Sequence, residues 1–214
     1  MIKIWGRRSS ANVQKVMWML GELGLEYRHI PAGGPYGIVN TPEFRALNPN
    51  GLVPVIDDDG MVLWESNAIV RYLASQYGGE PFWPSSPRER AGLDKWMDWS
   101  ASTLQAHFIG LFVSYWRTPE NLRDAKKIAA LHDNVVNDLM LLGRVLAKQP
   151  FLGGDAFSIA DIPNGVHLYR FYTMGIPAPS LPNIETYYAR LQERPAYREH
   201  VMISYDEIRG KLSF

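Results

Sequence analysis

Two short stretches of this chain hold the residue types that chemistry needs, and one absence narrows what that chemistry is. The sequence contains no cysteine, which removes disulfides, thiolate-held zinc, iron–sulfur clusters and any protein thiol nucleophile. Its five histidines, His29, His107, His132, His167 and His200, never fall within a helical turn of one another, so no local metal pair is visible. What remains is a hydroxyl- and amide-rich segment, Arg7-Arg8-Ser9-Ser10-Ala11-Asn12-Val13-Gln14-Lys15-Val16, and the pair Glu65-Ser66. Glu65 and Ser66 stand where an apolar strand ends and a helix begins. A helix N-terminus presents free N–H groups and the positive end of its dipole, which suits a carboxylate. The Ser66 hydroxyl adds a donor and Glu65 can pair with an ammonium, so the two match a group carrying both charges. The same residues would also serve as a plain helix cap and a solvated carboxylate, and Ser9 or Ser10 as a cap of the first helix.

The elements that must position these residues fall into two patterns. Over the first 80 residues strand and helix signals alternate. Ile2 to Trp5 alternates in strand fashion and Gly6 closes it. Val13, Val16, Met17, Leu20 and Leu23 form one face of a helix that Gly24 ends. Tyr27 to Ile30 is a second strand, followed by a Gly/Pro-rich loop over Pro31 to Pro42. Leu52 to Ile56 is an apolar run containing Pro54, Asp57 to Gly60 a hairpin turn, and Met61 to Trp64 the returning strand. Ser66 is then expected as the N-cap of a helix marked by Ile69, Val70 and Leu73.

From Pro84 onward only helical patterns remain. Ser86-Pro87-Arg88-Glu89 is a capping box, and the stripe from Trp96 to Tyr115 extends its helix to about Trp116. Leu122 to Leu146 predicts a second long helix. Ser158-Ile159-Ala160-Asp161 caps a third, through about Phe171, and two shorter helices near 184–192 and 196–202 lead to a tail ending at Phe214. Gly78 to Pro87, with its prolines and glycines, reads as the linker. The expected domains are therefore residues 1–80 and residues 87–214.

Composition limits the alternatives. With 214 residues and 24.3 kDa the chain has room for one large domain or two small ones. At 46% hydrophobic and 21% charged it is globular rather than disordered. Lys plus Arg equals Asp plus Glu at 22 each, and neither side of residue 80 carries the basic excess of a nucleic-acid or anionic-membrane binder. The longest apolar run, near Phe108 to Val113, is far short of a membrane span. Met1 leads at once into a strand-like segment without an apolar leader. A cytoplasmic protein is expected, with no nucleic-acid or membrane partner.

Strand–helix–strand, a Val-Pro hairpin and a helix, then helices only: this order resembles the cytosolic glutathione transferase family. Four motifs carry the resemblance. Asn48-Pro49-Asn50-Gly51-Leu52-Val53-Pro54-Val55-Ile56 resembles the family's loop and cis-proline strand. Leu63-Trp64-Glu65-Ser66-Asn67-Ala68-Ile69 resembles its Glu-Ser signature, Ser158 to Asp161 its C-terminal capping box, and Arg194-Pro195-Ala196-Tyr197 its last helical turn. The fold implied is an α/β thioredoxin-like N-terminal domain followed by an all-α C-terminal domain. The activity implied is conjugation of the glutathione thiolate to a small hydrophobic electrophile by a homodimer. Other glutathione-dependent reactions (isomerisation, ether cleavage, peroxide reduction) and a non-catalytic binding module are the alternatives, since fold alone does not decide.

The resemblance gives the residues roles. Val53-Pro54 would be cis, turning the Val53 backbone outward; a proline inside a buried strand independently argues for an edge or a special bond geometry. Glu65 and Ser66 would hold the γ-glutamyl group. A thiol of pKa about 8.5 is only a few per cent thiolate at pH 7, so a donated hydroxyl worth roughly 1.5–3 kcal/mol matters. In the serine-type classes the activating serine precedes an Arg-Val or Lys-Val pair by five residues; Ser10 so precedes Lys15-Val16, with Ser9 the alternative. Asn12 would orient the hydroxyl or contact the thiolate. Where phi enzymes often place His and Lys against the glycyl carboxylate, this chain has Val39 and Asn40, and Leu52 stands for a frequent Gln. The chain thus resembles the phi and theta classes without matching either fully. Arg7, Arg8 and Arg45 read mainly as solvated surface. His107, Phe108, Phe112, Tyr115 and Trp116 are the candidates for the electrophile site.

Overall fold

Four short strands form one sheet in the order β2-β1-β3-β4, with β1 (Ile2–Trp5) central. Helix α1 (Ala11–Glu22) crosses from β1 to the parallel strand β2 (Tyr27–Ile30). A loop and a six-residue helix α2 (Pro42–Leu47) then lead to the antiparallel hairpin β3 (Val55–Asp58) and β4 (Met61–Trp64). The pairing sets Ile4 opposite Ile56 and Ile56 opposite Leu63, which directs Ile2, Ile4 and Ile56 into the core. Helix α3 (Ser66–Leu73) packs beside α1. In this computed structural model residues 1–212 are described; the end of the tail, Phe214, lies outside them.

The remaining chain is helical: α4 (Pro87–Trp99), α5 (Gln105–Phe112), α6 (Ala125–Leu146), α7 (Asp161–Gly165), α8 (Leu168–Thr173), α9 (Pro182–Glu193) and α10 (Pro195–His200). This is a thioredoxin-like sheet with its helices, followed by an all-α part. Among the described residues no helix is long and apolar enough to cross a membrane.

Several local expectations are revised. Helix α1 is not one-faced: every residue from Val13 to Leu20 is buried, Gln14 and Lys15 included. It is enclosed because the sheet side and the C-terminal helices α7 and α10 both pack on it. Trp18 meets Phe157 and Tyr197 with ring centroids 5.3 and 4.7 Å away. The loop after β2 contains helix α2, capped by the Thr41 hydroxyl accepting from the Phe44 N–H at 3.2 Å. Asp57 and Asp58 pair with Val62 and Met61, so the hairpin turn is only Asp59-Gly60, both at positive φ.

In the helical part, the helix expected from Pro87 to Trp116 widens into π turns at Ser100–Leu104 and Val113–Arg117. Leu122 belongs to a separate 3-10 turn, because Asp124 caps α6 by accepting from the Lys126 and Lys127 N–H groups. The helix opened by Ser158 to Asp161 breaks between α7 and α8. Asp161 is its hub: the N–H groups of Leu152 and Ser158, the Ser158 hydroxyl and the Tyr187 hydroxyl all donate to its carboxylate.

Candidate active site

The turn from Arg7 to Ala11 follows the central strand and delivers its side chains to the N-terminus of α1. Ser10 is the N-cap residue by backbone conformation (φ −81°, ψ 123°), and its carbonyl accepts from the Gln14 N–H at 2.8 Å. Its hydroxyl makes no cap bond to the helix. Ser9 differs. It is buried, its hydroxyl donates to the Glu207 carboxylate, and its carbonyl accepts from the buried Arg170 guanidinium. Two adjacent serines thus have opposite situations, one committed to the C-terminal part and one half-buried at the helix end.

Ser10 and Asn12 line a cavity of about 170 Å³ together with Arg7 and Ala11 of the same turn. Its far wall is the widened helix: Gln105, Ile109 and Phe112 of α5, then Val113 and Arg117. Arg170 of α8 and Ile208 complete it. The cavity therefore joins a helix N-terminus and a free hydroxyl to a partly apolar, partly basic wall.

The Glu65-Ser66 corner comes to the same place from the other strand pair. Ser66 is buried, and its hydroxyl donates to Asn12 Oδ1 at 3.3 Å across 54 residues of sequence. Ser66 is not the N-cap of α3: it is the first helical residue, and Glu65 precedes it as the cap with φ +73° and ψ 109°, making no side-chain cap bond. A glutamate in this left-handed region is held there by its surroundings. The exposed Glu65 carboxylate stands beside fully buried Lys15, which donates to Gln105 Oε1. Burial pushes the Lys15 ammonium down to about 7, while Glu65 acts in the opposite direction.

The Val53–Pro54 peptide is cis, with Pro54 buried and Val53 half-buried at the start of β3. Leu52 is 64% exposed, and its carbonyl accepts from Asn48 Nδ2 at 2.8 Å. Asn40 is exposed and accepts from Arg45 at 3.0 Å. Neither Asn40 nor Leu52 lines the cavity beside Ser10. Ser10, Asn12 and Ser66 are thus brought together with Glu65 adjacent, whereas Ser9 is turned into the protein.

Of the aromatic candidates for the electrophile site, only Phe112 lines this cavity. Phe108 and Trp116 are core residues, and His107 Nδ1 pairs with Asp138 at 2.7 Å. Tyr115 lines a different cavity, with Ile128 and Ile176. Arg7, read as solvated surface, instead lines the cavity; burial, then Arg117, lowers its pKa against the pull of Glu207. Arg117, Arg170, Gln105 and Ile208 were missed. Only the polar residue Gln105 within an apolar stripe was a visible signal. Among the described residues no three His, Cys, Asp or Glu are grouped to hold a metal ion.

Comparison with known proteins gives a consistent result. Residues 5–81 match the family described as glutathione S-transferase, N-terminal domain. Glutathione S-transferase GstB of Escherichia coli K12 is 44% identical over 205 residues, which cover 95% of this chain and 99% of that protein. Glutathione S-transferase 3 of Zea mays is 28% identical, covering 94% and 93%. Among solved structures, a theta-class glutathione S-transferase from the citrus canker pathogen Xanthomonas axonopodis pv. citri, with glutathione bound, aligns with a TM-score of 0.91. It is 48% identical, over 95% of this chain and 98% of that one.

Proposed function

Because this chain belongs to the glutathione S-transferase family, we propose that it holds glutathione with its thiol at Ser10 and adds the thiolate to a small hydrophobic electrophile. It is a glutathione transferase with glutathione as co-substrate. The observation that carries the site reading is the contrast between the serines: Ser9 is spent on Glu207, while Ser10 lines the cavity without capping its helix. The Ser10 hydroxyl donates to the sulfur, and the N-terminus of α1 favours the anion. Together they shift the thiol toward thiolate without the serine ionising.

Glu65 pairs with the γ-glutamyl ammonium, and the Ser66 hydroxyl with the N-terminus of α3 takes its carboxylate. Asn12, bonded to Ser66, couples that end of the ligand to the sulfur end. The Val53 backbone pairs with the ligand's peptide. Asn40 and Leu52 border the glycyl end, with Ser9 behind the turn. On this reading residues 1–80 bind glutathione and residues 87–214 supply the electrophile wall. Exposed Leu52, Met61 and Val62 are apolar surface of the kind that a two-fold homodimer covers.

The test is retention on immobilised glutathione and enzyme-dependent thioether formation with a chlorodinitrobenzene. A chain that neither binds glutathione nor accelerates that reaction is not the enzyme described. Light scattering that gives a monomer mass removes the homodimer alone.

A further inference from the structure

Two side-chain amides share the cavity beside Ser10, and each has its oxygen already engaged. Asn12 Oδ1 accepts from the Ser66 hydroxyl at 3.3 Å, and Gln105 Oε1 accepts from buried Lys15. A lysine ammonium has donors only, so the oxygen is the end of the Gln105 amide that must meet it. Both amide residues line the cavity. The end of each amide that remains for a bound molecule is its NH2 group.

Gln105 reaches this position through a local irregularity of its helix. The π turn Ser100–Leu104 closes on it, with the Gln105 N–H donating to the Ser100 carbonyl, and α5 starts at the same residue. A π turn takes one more residue than an α turn, which rotates the side chains after it relative to those before. Leu104 and Phe108 are buried in the core, whereas Gln105 is half-buried on the cavity wall with Ile109 and Phe112. Its bond to Lys15 spans 90 residues and joins the two parts of the chain. An apolar side chain would fill the place of Lys15 without the cost of burying a charge. What the ammonium adds is a fixed orientation of the Gln105 amide. On the same wall Arg170 donates to the Ser9 carbonyl and Gln14 Oε1, and Arg117 to the carbonyls of Lys211 and Leu212. Gln105 differs from these in being a neutral donor, which suits an oxygen that is uncharged in the free compound and gains charge only during reaction.

From the way Lys15 holds its amide we infer that Gln105 determines specificity on the electrophile side: its Nε2 donates to an electrophile oxygen that gains negative charge as the carbon–sulfur bond forms. This rests on the proposed glutathione site, with the thiolate at Ser10. Compounds whose reactive carbon is conjugated to a carbonyl or nitro group are then favoured over alkyl halides, whose charge departs on the halide. With an enone the thiol proton has already passed to solvent. The sulfur bonds to the β-carbon, the alkene pair shifts to the next bond, and the carbonyl pair moves onto the oxygen facing Gln105. The α-carbon then takes a proton from water, and the product is a keto thioether. A donor fixed in place before the charge arrives stabilises the transition state more than the ground state.

Benzylideneacetone and benzyl bromide are both neutral and carry one phenyl ring, and only the first has an oxygen. A chain without cysteine offers neither reagent a thiol of its own. Rates of glutathione addition are measured with and without enzyme, and each catalysed rate is divided by its uncatalysed rate. For the wild type this acceleration is expected to be on the order of tenfold larger for the enone. The ratio of the two accelerations should fall toward one in Gln105→Met and Gln105→Glu. The glutamate variant keeps an acceptor for Lys15 and removes only the NH2 donors, so it serves where the methionine variant does not fold. A general disturbance of the site lowers both rates and leaves their ratio where it was. Equal acceleration of the two reagents by the wild type, or an unchanged ratio in Gln105→Glu, overturns the inference, while thioether formation from the chlorodinitrobenzene leaves the transferase reading standing. Absence of catalysis with all three electrophiles, together with no glutathione binding, removes that reading and this one with it.

Discussion

Replacing Ser10 by alanine separates catalysis from stability, because its hydroxyl makes no cap bond to α1. An N-cap serine that bonds its helix costs about 0.5–2 kcal/mol when truncated; here that contribution is missing, so Ser10→Ala should move the denaturation midpoint little. Its effect belongs to the bound thiol. One hydroxyl donated to a charged acceptor is worth about 1.5–3 kcal/mol, which at 1.36 kcal/mol per unit raises the thiol pKa by about one to two units. Below both pKa values the thiolate fraction, and turnover with it, falls roughly 10- to 100-fold, while glutathione affinity stays near wild type. Ser9→Ala should behave in the opposite way. It removes the donor to Glu207 and leaves that half-buried carboxylate one bond short, costing on the order of 1–3 kcal/mol of stability. The assay is the ultraviolet absorbance of thiolate in the enzyme–glutathione complex, titrated against pH for wild type and both variants. A pKa shift in Ser9→Ala with none in Ser10→Ala would refute the assignment by one residue.

Three further outcomes are expected. Glu65→Ala and Glu65→Gly should both lose glutathione affinity by calorimetry, but the glycine variant, at ease at φ +73°, should be more stable than the alanine variant by about 1 kcal/mol. Lys15 has a folded pKa of about 7 against an ordinary 10.5, so between those values the unfolded chain binds more protons and stability rises with pH, by at most about 1.4 kcal/mol per unit. Lys15→Met should therefore gain most over wild type at or below pH 7 and lose that gain toward 10.5; a pH-independent difference in urea midpoints would contradict this. Asp161→Asn sets an amide N–H against donors that now converge at 2.9–3.2 Å and should cost roughly 2–4 kcal/mol in chemical denaturation.

How far the site could be read from sequence followed the range of the interaction concerned. The sheet was legible because alternation at Ile2 and Ile4 is a local consequence of facing a core. Pro54 announced an unusual backbone by residue type alone. Ser66 was misassigned as a cap because the conformation at Glu65 is one that sequence statistics reserve for glycine and asparagine. Helix α2 carried its Thr41-Pro42 start but is too short for periodicity to register. Lys15 looked like the polar side of an amphipathic helix, since nothing local says that a second layer will cover it. The basic wall was invisible for a similar reason. Arg7, Arg117 and Arg170 lie far apart in sequence, nothing in their neighbours marks them as meeting, and only packing of the two halves brings them to Ser10.

The clasp on Ser9 makes the turn before α1 a shared possession of both parts of the chain. Glu207 reaches its hydroxyl across 198 residues, and Arg170 its carbonyl across 161. Without the C-terminal helices the turn loses both of these partners, and the buried face of α1 loses its cover. The shape of the turn at Ser10 thus depends on the docking of the last helices as well as on its own residues. Changes within Tyr205 to Ile208, which holds both the carboxylate on Ser9 and the Ile208 side chain of the cavity wall, are expected to reshape the turn before α1 although Glu207 lies 198 residues along the chain from Ser9.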